Sequence, residues 1–292
     1  MVRRELFEEC VSLLEKAGNE DAAFDMTCIF EDILEERHPL FSPLNQVPSD
    51  KERTIRSLAE RRSEGYPLQY LLGKWEFFGY PFAVGEGVLI PRPDTEALCE
   101  LAIEICRKEQ LSSPRIMDLC SGSGCLAITL KKELPLAQVT AAELSEKALP
   151  FLKENIKLND AQVELVQGDV TDPQLAAAHT GLDMIVSNPP YLTAEEMASL
   201  QTEVTHEPAM ALDGGRDGLD FYRAIAKIWR SSLKEGGWIC FEFGDKQHED
   251  VGKILAENGF ENITFRRDLA GIVRCAAAKR SGGPNNGKEG TC

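Results

Sequence analysis

The sequence of 292 residues contains no long run of lysine or arginine, and its formal net charge is −16. Proteins that gain affinity from nucleic-acid phosphates need concentrated positive charge. The charge balance therefore argues against a protein whose binding depends on phosphate contacts. The first residues, Met1–Glu5, lead into charged positions and not into an apolar segment, so we expect no signal peptide.

Long apolar runs and paired metal-ligand motifs are also missing. No hydrophobic stretch is long enough to cross a membrane. The nine cysteines include no C-x-x-C pair, and Cys10, Cys99, Cys106 and Cys240 lie inside apolar patterns. The four histidines have no metal-ligand spacing. We therefore predict a cytoplasmic protein with reduced thiols, without disulfides and without a bound metal.

The first quarter of the chain has apolar residues at helical spacing. One such stripe covers Leu6–Leu14, and Asn19 is a candidate cap for a second helix that ends at His38-Pro39. Ser49–Glu52 has the spacing of a capping box and predicts the start of a third helix. These patterns indicate a small helical bundle over residues 1–72. The bundle either only adds stability or holds a macromolecular substrate.

A segment rich in aromatic residues and proline follows, over residues 73–92. Aromatic side chains around Gly79-Tyr80-Pro81 predict a β-hairpin, which we interpret as a linker between two domains. The segment ends in Ile90-Pro91-Arg92-Pro93, where the prolines place Arg92 rigidly. Arg92 either pairs with a local carboxylate or borders an active site.

From Arg115 onward, strand and helix patterns alternate. This alternation predicts an α/β domain over residues 93–280, with a mostly parallel sheet and helices on both faces. We expect a helix over Leu219–Leu233, and we expect the tail, residues 281–292, to be disordered. The predicted strands are Arg115–Cys120, Gln138–Ala142, Val163–Val166, Leu182–Val186, Trp238–Phe243, Ile263–Arg266 and Ile272–Ala277.

Three of these strands end in residues that suit a nucleoside-containing cofactor. The first strand is followed by the glycine-containing turn Cys120–Gly124, which lets a ligand approach the backbone. The second ends at Glu143, whose carboxylate suits a ribose diol, and the third ends near Asp169, where an adenine amino group could bind. A tight strand–helix turn without any ligand would show the same glycines.

A dinucleotide-dependent oxidoreductase would share this arrangement. The turn lacks the full G-x-G-x-x-G pattern, however, and the chain has no Tyr/Lys or His/Asp arrangement for hydride transfer. S-adenosylmethionine carries no pyrophosphate, so a shorter glycine turn is sufficient for it. We therefore predict S-adenosylmethionine as the cofactor.

The fourth strand leads into Ser187-Asn188-Pro189-Pro190-Tyr191, where two prolines end it in a rigid turn. The planar NH2 of an amide or aromatic amine is a poor nucleophile because its lone pair is delocalised. The Asn188 side-chain oxygen and the Pro189 carbonyl could accept both N–H bonds of such a group, while Tyr191 packs on its plane. The alternative is a Pro-Pro turn with a buried, satisfied asparagine.

Several segments together resemble one enzyme family, the release-factor glutamine N5-methyltransferases. The resemblance covers most of the chain. Asn-Pro-Pro-Tyr alone is shared with DNA adenine methyltransferases, whereas its combination with Ile-Pro-Arg-Pro and a helical N-terminal domain is specific. The segments are Pro67–Gly73, the aromatic hairpin, Leu89–Glu96, Asp118–Gly124, Asn188–Tyr191, His206–Pro208 and Arg267–Gly271.

The resemblance implies a Rossmann-like class I methyltransferase domain that follows a substrate-recognising helical bundle and a hairpin linker. It implies transfer of a methyl group from S-adenosylmethionine to the glutamine side-chain amide in the Gly-Gly-Gln loop of peptide-chain release factors. The partners would be release factors, without direct nucleic acid or membrane contact, and we expect a monomer. Cys120 and Glu143 depart from the family's frequent glycine and aspartate, and both keep this chemistry plausible.

The expected site residues fall into three groups. Asn188, Pro189 and Tyr191 are the expected catalytic residues. The expected substrate contacts are these three together with Pro190 and Arg92. The expected cofactor contacts are Asp118, Cys120, Ser121, Gly122, Ser123, Gly124, Glu143, Asp169, Val170 and Asn188.

Two other functions use the same features. A nucleic-acid amino methyltransferase would apply the Asn188 turn to a flipped base, but it needs a basic recognition region, which the acidic composition disfavours. A protein that only senses S-adenosylmethionine would not need the Asn188 turn. We therefore favour a protein glutamine methyltransferase.

Overall fold

The computed structural model describes residues 1–42 and 44–282. The chain divides into two compact units, the first of which comprises Met1–Lys74 and Gln201–His206. The second comprises Trp75–Leu200 and the chain from Glu207 on. The predicted disordered tail lies, from residue 283 on, outside the described residues. Within the described part of the chain, no helix is both long and apolar enough to cross a membrane.

Within the described residues the first unit contains four α-helices, and the apolar periodicity predicts the first three of them. Their inward faces are fully buried, for example at Leu6, Phe30 and Ile55. The buried Asp25 pairs with Arg62 at 2.6 Å, so the unit also has an ionic contact near its core. The helices are α1 (Arg3–Lys16), α2 (Ala22–Leu34), α3 (Ser49–Ser63) and α4 (Leu68–Leu72).

Two helix boundaries in this unit differ from the sequence-based expectation. The predicted capping box at Ser49 is wrong, because Pro48 occupies the N-cap of α3 and no side chain caps it. Glu52 instead accepts hydrogen bonds from Arg56 at 3.2 Å and from the amino group of Met1 at 3.3 Å. Helix α2 ends at Leu34, before His38-Pro39, because Glu35 takes a left-handed conformation.

The aromatic segment forms the predicted hairpin, with β1 at Lys74–Phe77 and β2 at Tyr80–Ala83. A fully buried asparagine, Asn155, holds its second strand. Its Oδ1 accepts from the Ala83 amide at 2.6 Å, and its Nδ2 donates to the Ala83 carbonyl at 3.0 Å. The same Nδ2 donates to the Ser123 carbonyl at 2.9 Å. Asn155 therefore connects the hairpin to the glycine-containing turn.

The second unit contains a seven-stranded sheet in the order β5-β4-β3-β6-β7-β9-β8. Strands β3 to β7 run parallel, whereas β9 pairs antiparallel with both β7 and β8. The prediction of a mostly parallel α/β sheet is confirmed. The strands are β3 (Arg115–Leu119), β4 (Gln138–Glu143), β5 (Val163–Gln167), β6 (Leu182–Ser187), β7 (Leu233–Glu242), β8 (Phe260–Arg267) and β9 (Val273–Arg280).

Helices connect the strands of this sheet. They are α5 (Glu96–Lys108), α6 (Cys125–Glu133), α7 (Leu149–Leu158), α8 (Pro173–Ala178), α9 (Ala194–Met197), α10 (Asp220–Ile228) and α11 (His248–Glu257). The predicted helix over Leu219–Leu233 is shorter in the structure, because α10 passes into a 3-10 turn at Trp229–Ser232. Leu233 already belongs to β7, five residues before the predicted strand start at Trp238. Trp229 is fully buried, which fixes this change of conformation in the core.

Candidate active site

The turn after β3 is shaped by three positive backbone angles. Cys120, Gly122 and Gly124 have φ of 61°, 56° and 83°. Only Gly124 is also crowded, since an added Cβ would overlap Leu152 Cδ1. The turn is closed by a hydrogen bond of 2.8 Å from the Gly124 amide to the Ser121 carbonyl. Gly124 is therefore needed for packing, whereas an added Cβ at Gly122 would meet no atom within 4 Å.

Glu143, the last residue of β4, braces this turn. Its Oε2 accepts from the Gly122 amide and its Oε1 from the Ser145 amide, both at 2.7 Å. The residue is only 7% exposed. Each carboxylate oxygen has two lone pairs, so both can still accept a further hydrogen bond. The side chain is thus fixed while it retains capacity for two hydroxyl donors.

The end of β5 lies beside Glu143. The Gly168 amide donates to the Glu143 carbonyl at 3.1 Å. Asp169 Oδ1 accepts from the amide and hydroxyl of Thr171, at 2.8 and 2.7 Å. The carbonyl of the buried Val170 accepts from Trp229 Nε1 at 2.8 Å. These contacts hold the predicted third strand end against the core.

Asp118 has a different position from the other predicted cofactor residues. Its side chain is fully buried in β3, and its Oδ2 accepts from the Ala127 amide of α6 at 3.2 Å. Burial raises the pKa of Asp118 to about 7, although hydrogen bonds from Ser121 and Ala127 lower it. Asp118 therefore supports the turn from beneath.

The Asn-Pro-Pro-Tyr turn follows β6 directly. Ser187, the last residue of β6, is fully buried, and its hydroxyl donates to the Leu119 carbonyl at 2.6 Å. Asn188 Nδ2 donates to Thr95 Oγ1 at 3.3 Å. The Tyr191 carbonyl accepts from Gln247 Nε2 at 3.0 Å, and burial raises the pKa of the Tyr191 phenol to about 12. Tyr191 is therefore an uncharged aromatic residue at neutral pH.

Arg92 lines the cleft described below and forms an ion pair with Glu207, whose side chain is only 1% exposed. This carboxylate is not a local one, because it lies 115 residues later in the sequence. Glu207 Oε2 accepts from the Ile90 amide at 3.1 Å as well. The carboxylate of Glu207 thereby orients the whole Ile-Pro-Arg-Pro segment.

These elements surround one cleft of about 920 Å³, including its open mouth. Ten of the fourteen predicted site residues line it, whereas Asp118, Gly124, Pro189 and Tyr191 do not belong to its lining. Thr95 and Phe221 add wall residues that the sequence did not suggest. The predicted residues along the cleft are Arg92, Cys120, Ser121, Gly122, Ser123, Glu143, Asp169, Val170, Asn188 and Pro190.

Sequence reasoning missed four buried polar residues around this cleft: Thr95, Asn155, Glu207 and Glu242. Each is at most 5% exposed. A signal was available for Glu242, because a carboxylate directly after the apolar run Trp238–Phe241 of β7 is unusual. The partners of Asn155 lie 72 residues away at Ala83 and 32 residues away at Ser123, and no local pattern indicates them.

Comparisons with known proteins agree with this architecture. A family profile described as PrmC N-terminal domain matches residues 5–73. A second profile, Methyltransferase small domain, matches residues 99–216.

Among solved structures, a methyltransferase from Pyrococcus furiosus is 16% identical with a TM-score of 0.52, covering 80% of this chain and 100% of that one. The T. thermophilus 16S rRNA N2 G1207 methyltransferase, in complex with AdoMet and guanosine, is 19% identical with a TM-score of 0.52, covering 71% of this chain and 49% of that one. These two likenesses support the class I methyltransferase fold.

Curated relatives match at higher identity. A release factor glutamine methyltransferase from Fusobacterium nucleatum subsp. nucleatum is 37% identical over 282 residues, covering 95% of this chain and 78% of the relative. The enzyme of the same name from Deinococcus radiodurans is 33% identical, covering 97% of this chain and all of the relative. The family resemblance seen in the sequence is thereby confirmed: the chain belongs to the release factor glutamine methyltransferase family.

Proposed function

We propose that the protein transfers a methyl group from S-adenosylmethionine to the side-chain amide nitrogen of the glutamine in the Gly-Gly-Gln motif of peptide-chain release factors. The observation that carries this proposal is the cleft itself. The Glu143-braced glycine turn and Asn188 line the same cleft. A methyl donor held by the first can therefore lie within reach of an amide held by the second.

The residues of the cleft suit S-adenosylmethionine. The fixed carboxylate of Glu143, with spare lone pairs on both oxygens, matches the two hydroxyls of a ribose. Gly122 leaves open space beside the turn, so a ligand can contact its backbone. Asp169 lines the same cleft at the end of β5, where it could accept from an adenine amino group. When bound, S-adenosylmethionine supplies a methyl group on a positively charged sulfur that is activated for attack by nitrogen.

In this proposal the chain contributes mainly orientation. The Asn188 Oδ1 and the Pro189 carbonyl accept the two N–H bonds of the substrate amide, and Tyr191 packs against its plane. Orientation of this kind supplies a large part of the barrier reduction in many enzymes. No strong general base is required, because the nitrogen becomes acidic as it gains the methyl group and can lose a proton to water.

We assign release-factor recognition to the first unit. Its surface has exposed apolar side chains, with exposed fractions of 57% at Phe24, 89% at Phe41 and 63% at Leu44. Exposed apolar side chains of this kind suit contact with a protein partner.

We further propose that the protein works in the cytoplasm as a monomer. The net charge of −16 disfavours direct nucleic acid binding.

The test is methyl transfer from radiolabelled S-adenosylmethionine to purified release factor, with DNA and tRNA assayed in parallel. We expect label in release factor alone, and none in a release factor whose Gly-Gly-Gln glutamine is replaced by alanine. Label in DNA or tRNA, with none in release factor, would contradict the proposal and favour a nucleic-acid amino methyltransferase.

A further inference from the structure

Three polar side chains from distant parts of the sequence meet behind the Asn-Pro-Pro-Tyr turn. Thr95 follows the Ile-Pro-Arg-Pro segment, Asn188 follows β6, and Glu242 is the last residue of β7. Thr95 and Glu242 are each only 2% exposed. Asn188 Nδ2 donates to Thr95 Oγ1 at 3.3 Å. Both Thr95 and Asn188 also act on the Glu242 carboxylate, since they lower its pKa. The three groups therefore form one buried polar cluster.

The direction of the Asn188–Thr95 hydrogen bond follows from the chemistry of the groups. An ionised carboxylate only accepts hydrogen bonds, and a threonine hydroxyl has one proton to donate. Thr95 lowers the pKa of Glu242, which is the effect of a hydroxyl proton directed at the carboxylate, so the Thr95 oxygen accepts from Asn188. Asn188 must therefore direct its NH2 group towards Thr95 and Glu242. Its Oδ1 is left for the cleft that Asn188 lines.

Stability alone does not account for a carboxylate in this place. Within the described part of the chain, Glu242 Oε2 is buried and has no hydrogen-bond partner. Burying a carboxylate with an unpaired oxygen costs free energy. Such a group is more readily explained by a role at the adjacent site than by a contribution to the core.

We propose that Glu242 is a positioning residue that acts through Thr95 to hold the Asn188 carboxamide with Oδ1 towards the substrate amide. This inference rests on the proposed function for the identity of that amide. With the opposite orientation, Asn188 would present NH2 donors to the NH2 of the substrate. Two donors facing each other cannot hydrogen-bond, so the substrate nitrogen would lose one of its two acceptors.

The polar cluster also implies a dependence on pH. Burial raises the pKa of Glu242 to about 7, the charge of Asp94 adds to this, and Arg274, Thr95 and Asn188 act in the opposite direction. A protonated Glu242 can donate to Thr95, which allows the hydrogen-bond chain to reverse and Asn188 to turn over. The other titratable groups coupled to Glu242 have raised pKa values and stay uncharged near pH 7; they are Tyr191, Tyr222, Cys99, Cys125 and Cys275.

Matched substitutions at Thr95 and Glu242 test the proposal kinetically. Thr95→Ser keeps the hydroxyl, whereas Thr95→Val keeps the shape without it. We expect Thr95→Val and Glu242→Gln each to lower kcat for release factor about tenfold, with S-adenosylmethionine affinity within about twofold of wild type. Thr95→Ser retains most of the activity. Equal losses in Thr95→Ser and Thr95→Val would overturn the proposal, because the hydroxyl would then have no special role.

Combination with Asn188→Ala separates positioning from a general structural role. If Glu242 acts only through Asn188, Glu242→Gln causes no further loss of kcat in the Asn188→Ala background. A full additional tenfold loss there would contradict the proposal. The kcat of the wild type is also expected to fall as pH drops through about 7, and Glu242→Gln to remove this dependence. If the kcat of Glu242→Gln fell with pH as the wild-type kcat does, the pH dependence would belong to another group.

A spectroscopic measurement distinguishes failure of this inference from failure of the proposed function. The side-chain amide protons of Asn188 can be followed by NMR in the full chain with S-adenosylmethionine and no release factor. We expect their signals to shift in Thr95→Val and Glu242→Gln but not in Thr95→Ser. Unchanged signals in all three variants would refute the positioning role. Absence of label in release factor with wild-type protein would instead refute only the proposed function.

Discussion

At the glycine turn the cleft is held by backbone amides that donate to one carboxylate, whereas at the Asn-Pro-Pro-Tyr turn it is held by a hydrogen bond between two side chains. Glu143 is fixed by the amides of Gly122 and Ser145, both within 21 residues of it in the sequence. Asn188 is held by a hydrogen bond to Thr95, which lies 93 residues earlier, beside the buried Glu242. The end assigned to the cofactor is thus a local structure, while the end assigned to the acceptor depends on the assembled sheet.

Substitution of Asn188 is expected to have the largest effect on the acceptor end. Asn188→Ala removes an acceptor for the substrate amide, so we expect methyl transfer to fall at least ~100-fold, about 2.7 kcal/mol of transition-state stabilisation. S-adenosylmethionine affinity, measured by calorimetry, is expected to fall far less. A variant that loses both properties equally would show that the two ends are not separable.

Glu143→Ala sharpens the comparison from the cofactor end. The variant loses the carboxylate that we assign to the ribose hydroxyls, and charge-assisted hydrogen bonds of this type contribute about 1.5–3 kcal/mol each. We expect S-adenosylmethionine affinity to weaken at least about tenfold. Unchanged affinity in calorimetry would remove Glu143 from the cofactor site.

The two glycines of the turn offer a matched pair of alanine substitutions. An alanine at Gly124 would clash with Leu152 and would also be strained at φ of 83°, so we expect thermal unfolding to occur several degrees lower. Gly122→Ala is also strained, at φ of 56°, but its added methyl group meets no atom within 4 Å and lies beside the cleft. We expect it to weaken cofactor binding more than it lowers the melting temperature. The assignment of Gly124 to packing and of Gly122 to the cofactor would be contradicted if Gly122→Ala lowered the melting temperature more and Gly124→Ala weakened cofactor affinity more.

The last expected effect concerns Asp118 and the pH dependence of stability. Its folded-state pKa is raised from 3.8 to about 7, mainly by burial, so the folded protein binds the proton more tightly than the unfolded chain does. The stabilisation that this tighter proton binding gives the folded protein is fully present below the unfolded pKa and is lost as pH rises through about 7. We expect Asp118→Asn to flatten this decline of the unfolding free energy, measured by urea unfolding between pH 3.8 and about 7. A decline as steep as that of the wild type would show that Asp118 does not titrate there.

The contrast between the two ends also explains how much the sequence can predict. The parallel strands, the glycine turn and Glu143 follow from short patterns, because periodicity and turn chemistry act over few residues. The false capping box at Ser49 shows the limit of such patterns, since Glu52 pairs with Met1 and Arg56 instead. Glu242 could not be assigned to the Asn188 turn from sequence, because only the pairing of β6 with β7 brings it there. Thr95 could not be assigned either, because its hydrogen bond to Asn188 spans 93 residues.

The most direct test is single-turnover methyl transfer to release factor at saturating S-adenosylmethionine, with Asn188→Ala and Glu143→Ala compared to wild type. Saturation compensates for weakened cofactor binding but cannot restore a lost acceptor for the substrate amide. We expect Glu143→Ala to recover to within about tenfold of the wild-type rate, while Asn188→Ala stays at least ~100-fold slower. A near wild-type rate for Asn188→Ala would contradict the central claim.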